Sequence, residues 1–423
     1  MITRTRFKTL CFNLAALLCA SLLFNGLSSV SYAETTAATE AGDTAATADE
    51  LFTARDLKQI PDLSEATELT VVSGQDITIS NAGIYLLRGT AADATVIVES
   101  DKEAKVQLVL DSVSITNKDF PAIYVKSADK VFVTVYADSD LSVTGSFRKD
   151  GSTNTDAVIF SKEDLVLNGT AVLNVASTGN GIVSKDDLKV TGGTYNITAS
   201  SKALEVKDSI LIHDGIFHLE AGTDGLHAEN NDDNTRGNII IQDGTFEINA
   251  GDDGIHANAT VTIEDGSFNI ISGEGIESTC VLISGGTFRI ESQDDGINAA
   301  NKSSAYRPAV EISGGEITIT MGAGDTDGID TNGDLIITGG TINVTGNSAF
   351  DVDGSITFTG GTVIINGQQV DSIPNQMMGG PGFDRGGFGG QGGFGNQGGM
   401  DQGGFSGGMG TGGMGFGHGG GRW

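Results

Sequence analysis

The stretch "GDDGIHANATVTIEDGSFNI", residues 251–270, carries two glycine-centred turns, an alternating apolar pattern and a pair of adjacent aspartates. In "ATVTI" and "SFNI" every second residue is apolar, the period of a strand with one buried face. Asp-Gly pairs mark the corners, because Asp bonds its own backbone and Gly accepts positive φ. Nearly the same phrase returns at "SQDDGINAAN", residues 292–301, so the unit repeats.

Outward from this stretch, the apolar residue after each small or Gly position aligns as Ile182, Leu204, Leu226, Ile255, Ile276, Ile297 and Ile329. The steps are 22, 22, 29, 21, 21 and 32 residues. Insertions at "NNDDNTRGN", "NKSSAYRPA" and "MGAGDTD" account for the long steps, leaving a period of about 21 to 22. Each unit holds three short strands and folds as one triangular coil. Stacked in register, Tyr195, Phe217, Phe246, Phe268, Phe288, Ile317, Ile342 and Val363 fill one inward column. A leucine-rich horseshoe would need a leucine signature and a helical segment in each repeat, and neither is present. The expected fold is all-β, a right-handed parallel β-helix whose coils bury their apolar faces only against their neighbours.

The ends of the chain differ from this middle. Arg4, Arg6 and Lys8 precede the apolar run "LCFNLAALLCASLLF", and "SYA" ends at Ala33, the three parts of a secretory signal peptide over 1–33. Residues 34–50 read as a low-complexity linker, 51–100 as an N-terminal β cap and 101–375 as the β-helix. Residues 376–423, rich in Gly, Met and Phe, read as a disordered tail that cannot bury enough apolar surface to offset its ordering entropy. No run after the signal is apolar enough to span a bilayer. The expected protein is a secreted or cell-surface monomer. Loss of the signal removes three basic residues and takes the charge from −31 to about −34, which disfavours a nucleic-acid partner. The lone Cys280 of the mature chain forms no internal disulfide.

Stacking turns the repeated acids into a column. Asp224, Asp253, Glu274, Asp295 and Asp327 precede the repeated glycines, with Asp252 and Asp294 one step earlier. Carboxylates about 5 Å apart repel by roughly 3 kcal/mol at an effective dielectric near 20. His227 and His256, two residues past their glycines, are expected to be neutral near pH 7, so nothing basic offsets the repulsion. A Ca²⁺ ion accepting several carboxylate oxygens would reverse it. A second cluster is Asp325, Asp327 and Asp330, with Asp351 and Asp353 one coil on. The alternative is that Asp-Gly corners serve the backbone alone. A parallel column of Lys126, Lys162, Lys185 and Lys207 is either a set of surface ion pairs or a cationic stripe for carboxylated sugars. Candidate carbohydrate contacts are Lys162, Lys185, Lys207, His227, His256 and Asn298, with Tyr124, Tyr306 and Phe147 as outward rings. No short segment marks a nucleophile or a catalytic metal motif, and no catalytic residue is assigned.

The phrases "VQLVLDSVSI", "AIYVKSADKVFVTV", "DAVIFSKEDLVLNG", "GIVSKDDLKVTGGT" and the "DGIHA" repeats together resemble the exported carbohydrate-binding β-helix family of biomass-degrading bacteria. That family is similar in shape to calcium-dependent pectate lyases. The resemblance covers residues 65–367. It implies a parallel β-helix, bound Ca²⁺ held by acids of the turns already named, and non-catalytic attachment to a plant cell-wall polysaccharide such as pectin or cellulose. A calcium-dependent pectate-type lyase and a surface adhesin or spacer are the alternatives.

Overall fold

Short strands follow one another from Thr67 to Val370 in a computed structural model that describes residues 51–322 and 326–374. The signal peptide, the linker, Asp325 and the Gly-rich tail all lie outside the described residues. Nearly every strand pairs in parallel with the strand one coil before and one coil after it, which gives three faces wound about a long apolar core, with a smaller cluster around Phe120, Tyr124 and Phe160. An antiparallel pairing of Thr362–Ile365 with Gln368–Val370 follows the last coil. The described protein is all-β, and the expected parallel β-helix is the architecture found.

The first face carries the ring column. Tyr195 pairs with Phe217, Phe217 with Phe246, Phe246 with Phe268, and Phe268 with Phe288. The rings from Phe217 to Phe288 stack at 4.7, 4.7 and 4.5 Å between centroids, tilted by no more than 3°. That spacing matches the rise of one strand per coil. Each such pair adds about 0.5–1.5 kcal/mol beyond its buried area. Ile317, Ile342 and Val363 continue the column, and all eight side chains are buried.

The second face holds the repeated acid-glycine phrase. Its inward residues pair in the order Ile182, Leu204, Leu226, Ile255, Ile276, Ile297, Ile329 and Phe350. The register expected from spacing is therefore the register of the backbone. The insertions at 230–238 and 301–309 are loops at the corner between the second and third faces, whereas that at 321–327 falls between the first and second faces. Two of them touch: Asn234 Nδ2 donates to Ser304 Oγ at 2.7 Å, and Tyr306 OH donates to the Thr235 carbonyl at 3.2 Å. Together they build a wall along one side of the second face.

Residues 51–100 do more than cap. Thr67 pairs with Tyr85 and Tyr85 with Leu108, so coils are already winding at Thr67. These coils lack the acid-Gly-apolar phrase, which is why an alignment on that phrase passes over them. Before them, residues 51–59 lie across the third face. The fully buried Asp56 side chain sits 3.6 Å from Lys130 Nζ and 3.7 Å from Lys189 Nζ. Gln59 bridges coils by donating to the Thr191 carbonyl and accepting from Gly169 N–H, both at 2.8 Å.

Candidate functional site

A four-residue phrase recurs on the second face: acid, glycine, inward apolar residue, outward polar residue. Its copies are Asp224 to His227, Asp253 to His256, Glu274 to Glu277, Asp295 to Asn298 and Asp327 to Asp330. The pleat of the strand turns the apolar residue inward and its successor outward. Backbone pairing then lines up His227, His256, Glu277, Asn298, Asp330 and Asp351 as one outward column. The acid at the corner leans toward the outward residue of its own phrase. His227 Nδ1 lies 2.7 Å from Asp224 Oδ2, and His256 Nδ1 lies 2.5 Å from Asp253 Oδ2.

The upper part of the column is an imidazole and carboxylate cluster. The His227 and His256 rings stack at 4.7 Å, and His256 Nδ1 also meets Glu277 Oε2 at 3.0 Å. Lys302, from the second corner loop, reaches over the wall to place Nζ 2.6 Å from Glu277 Oε1. The expectation that His256 is neutral is corrected here. Burial works against the charged ring of His256, but Asp253 and Glu277 outweigh it and push its pKa up to about 9. The expectation that nothing basic offsets the acids fails at the same place, since Lys302 and His256 hold Glu277 below the usual carboxylate range against its burial. The lysine arrives from an insertion, outside the repeat that spacing can read.

The lower part has oxygen donors, and Lys302 acts on its first acid, Glu274, only through its charge. Burial, then Glu277, Asp253 and Asp295, push Glu274 up to about 8, with only Asn298 Nδ2 donating to it at 3.1 Å. Burial and the charges of Asp330, Asp294 and Asp327 raise Asp295 to about 7, and burial with Asp351, Asp327 and Asp353 raises Asp330 to about 6. Asp295 Oδ1 accepts from the Asp327 N–H at 2.9 Å, and Asp327 accepts from Ser348 Oγ. Asn298 is 9% exposed, and its Oδ1 is buried without a hydrogen-bond partner. An orphaned carbonyl oxygen between carboxylates that repel one another is what a hard oxygen-seeking cation would satisfy.

Of the other candidates, Asp252 and Asp294 are exposed on the same corner, and Asp351 and Asp353 extend the column past Asp330. The lysines lie toward the N-terminal coils: Lys185 Nζ is 2.6 Å from Glu205, Lys207 Nζ is 2.5 Å from Asp232, and Lys162 Nζ is 5.8 Å from the Tyr124 ring. An open cleft of about 370 Å³ is lined by Lys202, Asp224, His227, Asp253, His256 and Glu277 among others. Tyr124 is outward by register but only 1% exposed, covered by Phe120 and hydrogen-bonded to Asp150, so it offers no surface for a sugar ring. Phe147 is half-buried against the core and Tyr306 is tied to the wall. Glu277 and Lys202 escaped sequence reasoning. Glu277 had a signal, since it occupies the histidine position of its phrase.

A family model described as carbohydrate-binding domain-containing protein matches residues 73–326 and 274–371. A curated relative from Acetivibrio thermocellus, also described as a carbohydrate-binding domain-containing protein, is 35% identical over 133 residues. That match covers 30% of this chain and 46% of the relative, so the chain spans about half the length of the relative it matches. A solved structure described as the polysaccharide lyase-like protein from C. thermocellum, in its gadolinium derivative, aligns over 74% of this chain and 97% of its own, at 22% identity and a TM-score of 0.31. Among the described residues, no helix is long and apolar enough to cross a membrane. The matched stretches take in every copy of the acid-glycine phrase, and the chain belongs to the family of carbohydrate-binding domain-containing proteins.

Proposed function

We propose that this chain is an exported, non-catalytic protein that attaches to an acidic plant cell-wall polysaccharide of the polygalacturonate class, with Ca²⁺ bridging its acidic face to the uronate carboxylates. The observation that carries the reading is the lower half of the outward column. There Glu274, Asp295 and Asp330 are raised by burial and by neighbouring acids of the same face, and Asn298 Oδ1 is orphaned beside them. Oxygen donors of this kind suit Ca²⁺, which takes six to eight of them in flexible geometry. When bound, the ion would supply the positive charge that lets a chain of net charge −31 hold a polyanion. Asp295 and Asp330 would hold it from adjacent phrases, Glu274 from one side, and Asn298 through its carbonyl. Cellulose fits less well, because Tyr124 is covered and Tyr306 is committed to the wall. Export rests on the three-part N-terminal pattern of residues 1–33.

The test is capture of the protein on insoluble polygalacturonate and on cellulose, with Ca²⁺ and with a chelator. Retention on polygalacturonate that needs Ca²⁺ and falls at least tenfold in Asp330→Asn supports the reading. Retention that is indifferent to chelation, or equal on both polymers, counts against it.

A second reading, elimination of uronate by a lysine base, has one observation in its favour: Lys202 lines the same cleft as the acids. The other lysine of the cleft, Lys302, is ruled out as the base, because, against its burial, Glu277 holds it above the ordinary lysine range. Unsaturated product released from polygalacturonate by the purified chain, and lost in Lys202→Met, would establish the enzymatic reading instead.

A further inference from the structure

The column changes its donor chemistry part-way along. Below Asn298 every donor is oxygen, whereas above it two imidazoles replace oxygen at the outward position. We propose that the upper part is a separate site for a divalent transition cation of the zinc class, held by Asp253 Oδ2, His256 Nδ1 and Glu277 Oε2, with His227 stacked behind His256 to fix its ring.

Four observations carry this. Asp253, His256 and Glu277 present one donor atom each, all within 4.8 Å of one another. Donors about 2.0–2.2 Å from a shared tetrahedral ion lie about 3.3–3.6 Å apart, so small side-chain adjustments place them around one. The cluster is built inside the protein: the side chains of Asp224, Asp253, His227 and Glu277 are 7–9% exposed, and that of His256 is 13% exposed. The charge is also matched. Once the ion displaces the proton of the His256 ring, Asp224, Asp253 and Glu277 against the single ammonium of Lys302 leave two negative charges for a divalent cation. Finally, His227 Nδ1 is buried and has no hydrogen-bond partner, although Asp224 Oδ2 is only 2.7 Å away and out of line with it. An ion held by Asp253, His256 and Glu277 would place a positive centre one coil from this pair.

Calcium is the poorer occupant here, because a nitrogen donor and few oxygens suit a borderline metal rather than a hard one. Lys302 occupies Glu277 Oε1, which leaves Oε2 for the ion. The cleft in front keeps a coordination position open to solvent or to a ligand oxygen. The competing description is an imidazolium clamped between two carboxylates with no metal at all.

The full chain, stripped of metal, is titrated with Zn²⁺ alone by calorimetry and with Co²⁺ alone by visible absorption. Isotope-labelled histidine signals are followed by NMR in parallel. Expected is saturable binding of one Zn²⁺, intense cobalt bands from a mixed nitrogen and oxygen site, and a shift of the His256 Nδ1 resonance. His256→Gln and Glu277→Gln should each weaken Zn²⁺ by about 100-fold, while Asp330→Asn leaves it unchanged. Ca²⁺ at equal concentration should not displace the ion. Zinc binding that survives His256→Gln, displacement by equimolar Ca²⁺, or no movement of the His256 signal in the wild-type chain overturns the proposal. The NMR readout on unsubstituted protein keeps the test valid if a variant fails to fold. The proposed polysaccharide attachment is probed separately by Asp330→Asn, so either reading can fail alone.

Discussion

Asp330 stands one coil from Asp295 and its charge helps raise Asp295, while burial, Asp351, Asp327 and Asp353 raise Asp330 itself. Replacing either carboxylate by an amide keeps the shape and removes the repulsion. Asp330→Asn is therefore expected to raise stability in chelator, on the order of 1 kcal/mol for a partly solvated pair, and to abolish the rise that Ca²⁺ gives the wild-type chain. Paired thermal melts in chelator and in Ca²⁺ check both halves. The pH dependence has a definite sign. Glu274, Asp295 and Asp330 titrate near about 8, 7 and 6, above their unfolded range, so the folded chain keeps protons that the unfolded chain releases. Stability in chelator should fall as pH rises from about 4 to about 8. His256, raised to about 9, adds in the same direction: its contribution is complete below about 6.5 and is lost as pH passes 9. Melts in chelator that are flat over this range would contradict the assignment, and Ca²⁺ should shrink the decline by replacing the missing protons. At this scale the sequence was legible wherever spacing placed an acid at a glycine corner. It was silent on Lys302, whose reach to Glu277 depends on the path of a loop rather than on the repeat.

From Gly225 to Gly328 each strand of the second face turns its corner through a glycine because the neighbouring coil leaves little room for a side chain. A Cβ on Gly254 would come 2.4 Å from Ile270 Cγ2 and 2.7 Å from the Gly275 carbonyl oxygen. Backbone cannot yield as a flexible side chain can, so Gly254→Ala is expected to cost about 1–3 kcal/mol by overpacking, measurable as a lowered denaturant midpoint. Because Asp253 precedes this glycine, the same change should disturb the acid column. The three-strand coil, the inward ring column and the register were all readable from residues 182–367, since parallel pairing makes neighbours of residues one period apart. The segment 51–59 was not readable. Its partners Lys130, Gly169, Lys189 and Thr191 lie far along the chain and share no period with it. Tyr124 shows the same limit from the other side. Alternation places it outward correctly, but its cover of Phe120 and the loop bearing Asp150 belongs to an insertion.

Across the whole described molecule, stability passes from coil to coil, so the ends should open before the middle. The N-terminal coils are buttressed by the segment bearing Asp56. The last ones are thinner: Ile356–Phe358 and Thr362–Ile365 are mostly half-buried or exposed. Hydrogen exchange followed by mass spectrometry should therefore show amides of 356–370 exchanging well before those of 210–290, and uniform protection from end to end would contradict this. The family was legible at this scale because several phrases occur in order, whereas the ligand of each coil is decided locally by the outward residue. That independence has a hereditary consequence. From His227 to Asp351 the outward residue changes while the inward partner stays aliphatic or aromatic. A lineage can thus rewrite what its surface captures by single codon changes, or by recombination that copies a turn's worth of gene, without renegotiating the scaffold beneath.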